Sequence, residues 1–301
     1  MQNFWISILE QGLIFGIMVL GVYISYKILD FPDLSVDGSF PLGAAVAAQS
    51  LISGQSPLVS TVLALVAGLL GGTLTGILHV RLKISNLLSG ILVMIGLYSI
   101  NLRIMGKSNI PLFTVKTIFS NPLPALVTIA ILALASKLFL DFFLKTKVGY
   151  LLKATGDNPQ LVTSLGRDIG AMKILGLAIS NGLVALSGAI MAQHQGFADV
   201  GMGTGIIVMG LASIIMGEAL FKKATFMAIT TVALIGAILY KGAMAFALEL
   251  RFPPTDLKLI TAVIVVIALS LNKGVIPLRF PRKRAVPATA EQEPEEEGGD
   301  E

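Results

Sequence analysis

The sequence has no cysteine, one tryptophan and two histidines among its 301 residues. Disulfide bonds and thiolate metal sites are therefore excluded. Only 13% of the residues are charged, about half of the roughly 25% found in an average soluble domain. So few charges could not cover the surface of a soluble protein of this length. The composition excludes an ordinary soluble enzyme, a disordered chain and a fibrous repeat.

Motifs that carry chemistry are also missing. The sequence has no GxxxxGK[ST] phosphate loop, no HExxH and no GxSxG, and it offers no cluster of three metal ligands. We therefore expect no cofactor and no metal. The sequence also lacks the set of catalytic residues that an intramembrane enzyme would need. The predicted spans are nearly free of carboxylates, which counts against an ion-coupled carrier. The acidic residues near them lie at predicted segment ends: Asp33, Asp37, Asp199, Glu218 and Glu249.

Hydrophobic residues dominate instead, at 54% with a mean hydropathy of +0.83. A bilayer core is spanned by about 20 apolar residues. On that measure the sequence predicts an all-α, polytopic membrane helix bundle of about nine spans. The predicted segments are 6–28, 38–53, 58–79, 86–105, 122–144, 173–194, 204–220, 225–247 and 257–271. The second, seventh and ninth are short, which is typical of broken or tilted helices.

Charge divides the chain into two regions. Residues 285–301 contain seven acids and no lysine or arginine, which predicts an acidic, disordered cytoplasmic tail. Residues 1–284 form the predicted transmembrane domain. With nine spans and the N-terminus outside, fifteen basic residues fall on the inner side and six, Lys241 among them, on the outer side. This bias predicts that the loop 145–172 and the C-terminus are cytoplasmic.

Small residues recur at helical spacing in two predicted spans. Gly68, Gly72 and Gly76 share one face, as do Gly12 and Gly16, which predicts close helix packing within the bundle. A weak internal similarity relates residues 31–36 to residues 197–202, each before a short glycine-rich segment. Since the two segments enter from opposite sides, this pattern is typical of an inverted repeat whose discontinuous helices meet near the midplane.

The loop 145–172 contains the most informative motif. Asn158 can cap a helix and Pro159 suits its first position, while Gly166 suits a left-handed stop. The run predicts a short helix over 159–165 with Leu161 and Leu165 on one face. So short a helix is unstable alone. Two supports remain open: a cleft on a cytoplasmic partner, or the surface of the lipid.

These residues also carry a family resemblance. The run from Gly149 to Pro159, then Leu165-Gly166 and a Gly/Ser/Ala-rich span, resembles bacterial ABC importer permeases of the branched-chain amino acid and ribose group. Residues 33–44 resemble that family's LSVG-type segment. More narrowly, residues 31–43 and 191–199 are similar to permeases of tryptophan/tyrosine-type importers. The resemblance runs from about residue 10 to residue 275.

The resemblance implies a homodimer in a bacterial plasma (inner) membrane, with one cytoplasmic ATPase subunit under each copy and an extracellular solute-binding lipoprotein. ATP hydrolysis would take place on the separate ATPase chain, so this chain is not itself an enzyme. The solute would be a small molecule, an amino acid by the wider resemblance and an aromatic one by the narrower resemblance. The residues implied in coupling to the ATPase are Gly149, Gly156, Asp157, Asn158, Pro159, Leu161, Val162, Leu165 and Gly166.

Polar residues beside the short segments are candidates for a translocation pathway, because a polar group facing lipid costs free energy. Structural roles are equally open: Asp33 and Asp37 suit helix caps, and Gln193 could bond neighbouring backbone. The alternative function is a self-sufficient channel or facilitator. The pathway candidates are Asp33, Ser35, Asp37, Ser39, Gln193, His194, Gln195, Asp199 and Met202.

Overall fold

A computed structural model describes residues 2–221, 228–249, 256, 259–263 and 266, which are mostly helical. The acidic tail 285–301 lies outside the described residues, as does most of the ninth predicted segment, 257–271. The helices are α1 (Gln2–Tyr23), α2 (Val36–Ile52), α3 (Pro57–Val80), α4 (Asn86–Met105), α5 (Ala125–Leu144), α6 (Lys147–Asp157), α7 (Pro159–Ser164), α8 (Ile169–Gln195), α9 (Ile206–Phe221) and α10 (Ile229–Glu249). A π-helical turn, Ile24–Ile28, extends α1, and a 3₁₀ turn, Val200–Gly203, precedes α9.

Seven of the described helices are long and apolar enough to cross a membrane, and the predicted membrane helix bundle is present. The second predicted segment, 38–53, forms α2, which has 17 residues and is mostly buried. The count of nine spans therefore stays a prediction. The seven helices are Phe4–Ile28, Pro57–Val80, Asn86–Met105, Ala125–Leu144, Ile169–Gln195, Val200–Phe221 and Ile229–Glu249.

Helix α8 is the centre of the bundle and packs against α1, α2 and α3. Its hydroxyls bond neighbouring helices: Ser180 Oγ donates to the carbonyl of Gly21 at 2.7 Å, and Ser187 Oγ donates to that of Ile14 at 2.7 Å. Such bonds add to van der Waals packing where lipid supplies no hydrophobic driving force between helices.

The glycine faces pack as predicted. A Cβ atom on Gly68 would lie 2.4 Å from the carbonyl oxygen of Asn181, and one on Gly72 would lie 2.1 Å from that of Leu177, so α3 touches α8 backbone to backbone. A Cβ on Gly12 would lie 2.9 Å from the Cα of Ile238 in α10. Bare backbones at these positions let the helices approach within van der Waals contact of each other's main chain.

The two ends of the bundle differ. At one end, which we call the strand end, two three-residue strands pair antiparallel: β1 (Asn109–Pro111) and β2 (Phe197–Asp199), with Ile110 opposite Ala198. At the other, the loop end, α6 and α7 join α5 to α8. The predicted short helix is present as α7, but α6 was not predicted and fills the first part of the loop.

Gly72→Ala is predicted to destabilise the bundle, because the new methyl group would collide with the α8 main chain. Overpacking of this kind costs about 1–3 kcal/mol. Gly96→Ala on α4 is the matched control, since a Cβ there meets nothing within 4 Å and alanine favours a helix. Thermal unfolding of the purified proteins in detergent measures both. Equal melting temperatures for the two variants would contradict the close packing of α3 on α8.

Candidate functional site

The starts of α2 and α9 meet inside the bundle. The Asp37 carboxylate, in the first turn of α2, accepts hydrogen bonds from the backbone N–H groups of Gly205 at 2.9 Å and Ile207 at 2.8 Å. Both donors belong to the beginning of α9, where unpaired N–H groups and the helix dipole favour a negative charge. Two short segments therefore meet through their N-termini, while the inverted repeat stays a prediction.

Pro41 explains why the junction can be so close. Proline has no N–H, so within α2 it leaves the carbonyl of the residue four positions earlier, Asp37, without its helical donor. Gly203 packs against that carbonyl: a Cβ there would lie 2.0 Å from the Asp37 oxygen and 2.6 Å from Pro41 Cδ. Only glycine leaves room for the 3₁₀ turn to rest on α2 at this point.

A cleft of about 460 Å³ opens beside this junction, between α2, α4 and the 3₁₀ turn. The volume falls within the range of small-molecule pockets. Its walls combine apolar side chains with a few polar groups. They are formed by Asp37, Gly38, Pro41, Met94, Ile95, Tyr98, Ser99, Asn101, Val200, Gly201 and Thr204.

Two buried polar atoms near the cleft have unused capacity. Asn101 Nδ2 donates to the Gly38 carbonyl at 3.2 Å, while Asn101 Oδ1 and the Ser39 hydroxyl have no hydrogen-bond partner among the described residues. Buried polar atoms are paired in most proteins. Of these two residues only Asn101 lines the cleft, where an open acceptor can bind a solute, and the Asp37 carboxylate favours a solute with a positively charged group.

Asp33 and Ser35 form a separate, fully buried cluster. The Asp33 carboxylate accepts from the Ser35 N–H at 2.9 Å, the Ser35 hydroxyl at 2.6 Å and Asn181 Nδ2 at 2.7 Å. Gly90 of α4 packs closely on the same turn. The cluster fastens the connection between α1 and α2 to α8, beneath the junction at Asp37.

Gln193, His194 and Gln195 hold the strand end together. Gln193 donates to Thr61 Oγ1 at 2.9 Å and accepts from the Ile118 N–H at 3.1 Å. His194 Nε2 lies 3.1 Å from a carboxylate oxygen of Glu10, and Gln195 donates to the carbonyl of Phe197 at 2.9 Å. These contacts tie the segment after β1 to α1, α3 and α8.

Asp199 and Met202 frame the entry to the junction. Asp199 caps the 3₁₀ turn by accepting from the Gly201 N–H at 2.7 Å, and it also accepts from Asn109 Nδ2 at 3.2 Å. Met202 packs against buried side chains on both sides. Of the predicted pathway residues, Asp37 lines the cleft, and Ser39, Asp199 and Met202 lie on the segments that form it.

Sequence reasoning missed Tyr98, Ser99, Asn101 and Thr204 of the cleft. Asn101 and Asn181 carry amide side chains within apolar spans, and that was a usable signal because such residues usually face the bundle interior.

Helix α7 at the loop end carries exposed leucines. Asn158 Oδ1 caps α7 by accepting from the Leu161 N–H at 3.3 Å, and Gly166 has the expected positive φ of 67°. Leu161 and Leu165 are 48% and 60% exposed, whereas Val162 is fully buried. Helix α7 thus presents two leucines outward on a rigid base.

Helix α6 connects this base to the spans. A Cβ on Gly156 would lie 1.9 Å from the carbonyl oxygen of Ile28, in the π-helical turn. Leu152 of α6 packs with Leu29 at Gly176 of α8. The same turn carries Lys27, which forms a 2.9 Å ion pair with Glu218 of α9. A displacement of α6 therefore bears directly on the turn that leads into α2.

Some charged residues of the described spans form ion pairs with one another. Asp141 lies in α5 and forms an ion pair with Lys137 at 2.6 Å, one helical turn away. Asp141 also accepts from the hydroxyl of Thr230 on α10. Glu218 of α9 pairs with Lys27. Asp141 lies in the last turn of α5, close to the end of the predicted segment 122–144.

Lys241 was counted on the outer side but lies near the middle of the 21-residue helix α10. Its ammonium sits 3.6 Å from the centre of the Phe15 ring and has no ion-pair partner among the described residues. A lysine at the centre of a span costs roughly 2.5–3.5 kcal/mol, and a desolvated cation–π contact returns about 2 kcal/mol. The cation–π contact therefore offsets only part of the free-energy cost of placing Lys241 in the span.

The chain resembles known transport proteins along most of its length. The family described as Branched-chain amino acid transport system / permease component matches residues 4–270. A tyrosine transport system permease protein of Clostridioides difficile (strain R20291) is 54% identical over 94% of this chain and 96% of its own length. The uncharacterized protein RP368 of Rickettsia prowazekii is 37% identical over 90% and 99%.

A more distant relative carries a different solute name. The galactofuranose transporter permease protein YtfT of Escherichia coli (strain K12) is 25% identical over 91% of this chain and 86% of its own. No solved structure matches the chain. The matched family covers all seven candidate spans, the α2–α9 junction and the loop-end helices. This multi-pass membrane protein belongs to the family of branched-chain amino acid transport system permease components.

Proposed function

We propose that the chain is the membrane-spanning subunit of an ATP-binding-cassette importer for an amino acid of the tyrosine type. An extracellular binding lipoprotein delivers the solute, a homodimer of this chain forms the passage, and a separate cytoplasmic ATPase drives it. Membership of the permease family and the likeness to the tyrosine permease support this assignment.

The cleft beside Asp37 matches an amino acid with a large apolar side chain. The carboxylate of Asp37 and the open oxygen of Asn101 suit an ammonium group. Met94, Ile95 and Pro41 supply an apolar wall, and Tyr98 can stack against an aromatic ring. A cleft that is mostly apolar with a few directed polar groups is the usual design of a small-molecule site.

Helix α7 is the proposed docking point for the ATPase, and its exposed leucines are the observation that carries the ATP-driven function. Leu161 and Leu165 stand outward over the buried Val162, on a helix that is capped at both ends. Since α6 rests on the carbonyl of Ile28 through Gly156, a push on α7 reaches the π-helical turn and, through the Lys27–Glu218 pair, α9. π-Helical turns often occur at functional positions.

Charge supports the orientation. Basic residues cluster at the loop end: Lys145, Lys147, Lys153, Arg167 and Lys173. Because cytoplasmic loops of membrane proteins are enriched in lysine and arginine, we assign the loop end to the cytoplasm of a bacterial plasma membrane. The N-terminus is then outside.

Uptake by reconstituted protein tests the ATP-driven function. Vesicles that contain this chain and its ATPase, supplied with the binding lipoprotein, should accumulate tyrosine only with ATP. Leu161→Asp should abolish both uptake and co-purification of the ATPase, because an unpaired charge would be buried in an apolar cleft. Gln160→Asp, which adds the same charge at an exposed neighbour, is the control and should retain both.

The alternative, a self-sufficient facilitator, has a different outcome. Tyrosine would then equilibrate across vesicles that contain this chain alone, and Leu161→Asp would have no effect. A helix that only lies on lipid would lose membrane insertion in Leu161→Asp while the ATPase still bound. Either result would contradict the assignment of α7 as the docking helix.

Asp37→Asn tests the junction. The neutral amide would turn a donor toward one of two backbone N–H groups, and each hydrogen bond to a charged group contributes about 1.5–3 kcal/mol. ATP-driven uptake should fall at least about tenfold while the ATPase stays bound. Asp168→Asn is the matched control, since Asp168 caps α8 at its exposed end and asparagine caps equally well. Equal uptake in the two variants would return Asp37 to a packing role.

A further inference from the structure

A second cavity, of about 410 Å³, lies between α1 and α10 and borders Met209 of α9. It is distinct from the cleft at Asp37 and shares none of its lining residues. Its polar lining is Ser7, Gln11, Lys241, Glu249 and Thr261, and its apolar lining is Phe4, Ile8, Met209, Met244, Ala245 and Leu248.

Lys241 is the reason to regard this cavity as a binding site. Lysines in spans usually extend toward the nearer interface. The Lys241 ammonium lies instead over the ring of Phe15, which is itself buried and stacked on Phe40. An ionisable group held within a span and facing a cavity most often marks a functional position.

The acidic groups around the cavity do not neutralise Lys241. Glu10, on the facing helix α1, is paired with His194. Glu249 lies eight residues further along α10, about 12 Å at the helical rise of 1.5 Å per residue. None of the ion pairs among the described residues includes Lys241. A ligand with an anionic group would supply the missing partner.

The rest of the lining restricts the class of ligand. The apolar lining of the cavity includes two methionines and Phe4, and methionine sulfur makes favourable contacts with aromatic rings. Phospholipid phosphates belong at the membrane interface, whereas Lys241 lies near the middle of α10. A small aromatic carboxylate fits both the depth of the charge and the apolar walls.

We propose that this cavity binds the carboxylate of a small aromatic solute, with Lys241 as its ion-pair partner and Met209 and Met244 against its ring. The proposal rests on the proposed function for the amino acid class. The segment 204–209 borders both cavities, through Thr204 and Met209. Because both charged groups of an amino acid are attached to one carbon, the Asp37 cleft and the Lys241 cavity are two separate sites, the first suited to an ammonium group and the second to a carboxylate.

Two analogues of tyrosine separate the cavities. 3-(4-Hydroxyphenyl)propionate keeps the carboxylate and lacks the ammonium group, and tyramine has the reverse. Binding of each is measured by calorimetry on the purified full chain in phosphatidylcholine nanodiscs, without ATPase or ATP. Lys241→Met should weaken hydroxyphenylpropionate binding at least tenfold and leave tyramine binding within twofold. Lys241→Arg should retain hydroxyphenylpropionate binding, and Lys153→Met is the remote charge control.

Three results would overturn the proposal. They are equal affinity of Lys241→Met and wild type for hydroxyphenylpropionate, no binding to the wild type at millimolar concentration, and loss of binding when phosphatidylglycerol is added to the nanodiscs. The last would assign the site to a lipid phosphate. Because the assay contains no ATPase, failure of ATP-driven uptake would leave this result intact, and failure here would leave ATP-driven uptake intact.

Discussion

A single carboxylate joins the two segments on which the interior of this protein depends. Asp37 lies in the first turn of α2 and accepts two N–H groups from the start of α9. Without a negative charge at that point, the unpaired N–H groups of α9 would lie inside a membrane bundle, where no water can satisfy them. The absent N–H of Pro41 and the absent side chain of Gly203 let the two backbones meet closely enough for the bond to form.

The surrounding helices hold the junction of α2 and α9 in place. Helix α8 holds α3 through bare glycine backbones and α1 through two serine hydroxyls. Below the junction, Asp33 and Asn181 bind the start of α2 to α8. The loop-end helices reach the same region through Gly156 and the π-helical turn. Few contacts therefore separate α7 from α2 and α9, which fits the proposed docking role of α7.

Local signals were readable from the sequence, and distant contacts were not. The cap of α7 depends on Asn158, Pro159 and Gly166, all within one short run, and the structure has the predicted helix there. The glycine faces were readable because their spacing follows the helical period. Helix α6 was missed because Gly149 and Gly156 interrupt its helical propensity, although each glycine is needed where α6 touches another backbone.

The candidate site shows the same division. Asp37 was predicted as a pathway residue or a helix cap, but its bond to α9 spans 168 residues of sequence and no local pattern reports it. Gln193 and His194 were predicted at the passage, and their partners Thr61 and Glu10 come from other helices. Lys241 was counted among the residues of the outer side because hydropathy alone cannot tell a snorkelling lysine from one turned toward an aromatic ring.

The most direct test of this account is the distance across the cleft during the ATP cycle. Tyr98 and Thr204 both border the cleft and are exposed, and the chain has no native cysteine, so Tyr98→Cys with Thr204→Cys, diluted with unlabelled chain, gives one labelled pair in each complex. Double electron–electron resonance on the labelled permease–ATPase complex would compare nucleotide-free and ATP-bound states. The account predicts two separate distance distributions, which Leu161→Asp reduces to one. Identical distributions in both states would contradict a passage that opens at the junction of α2 and α9.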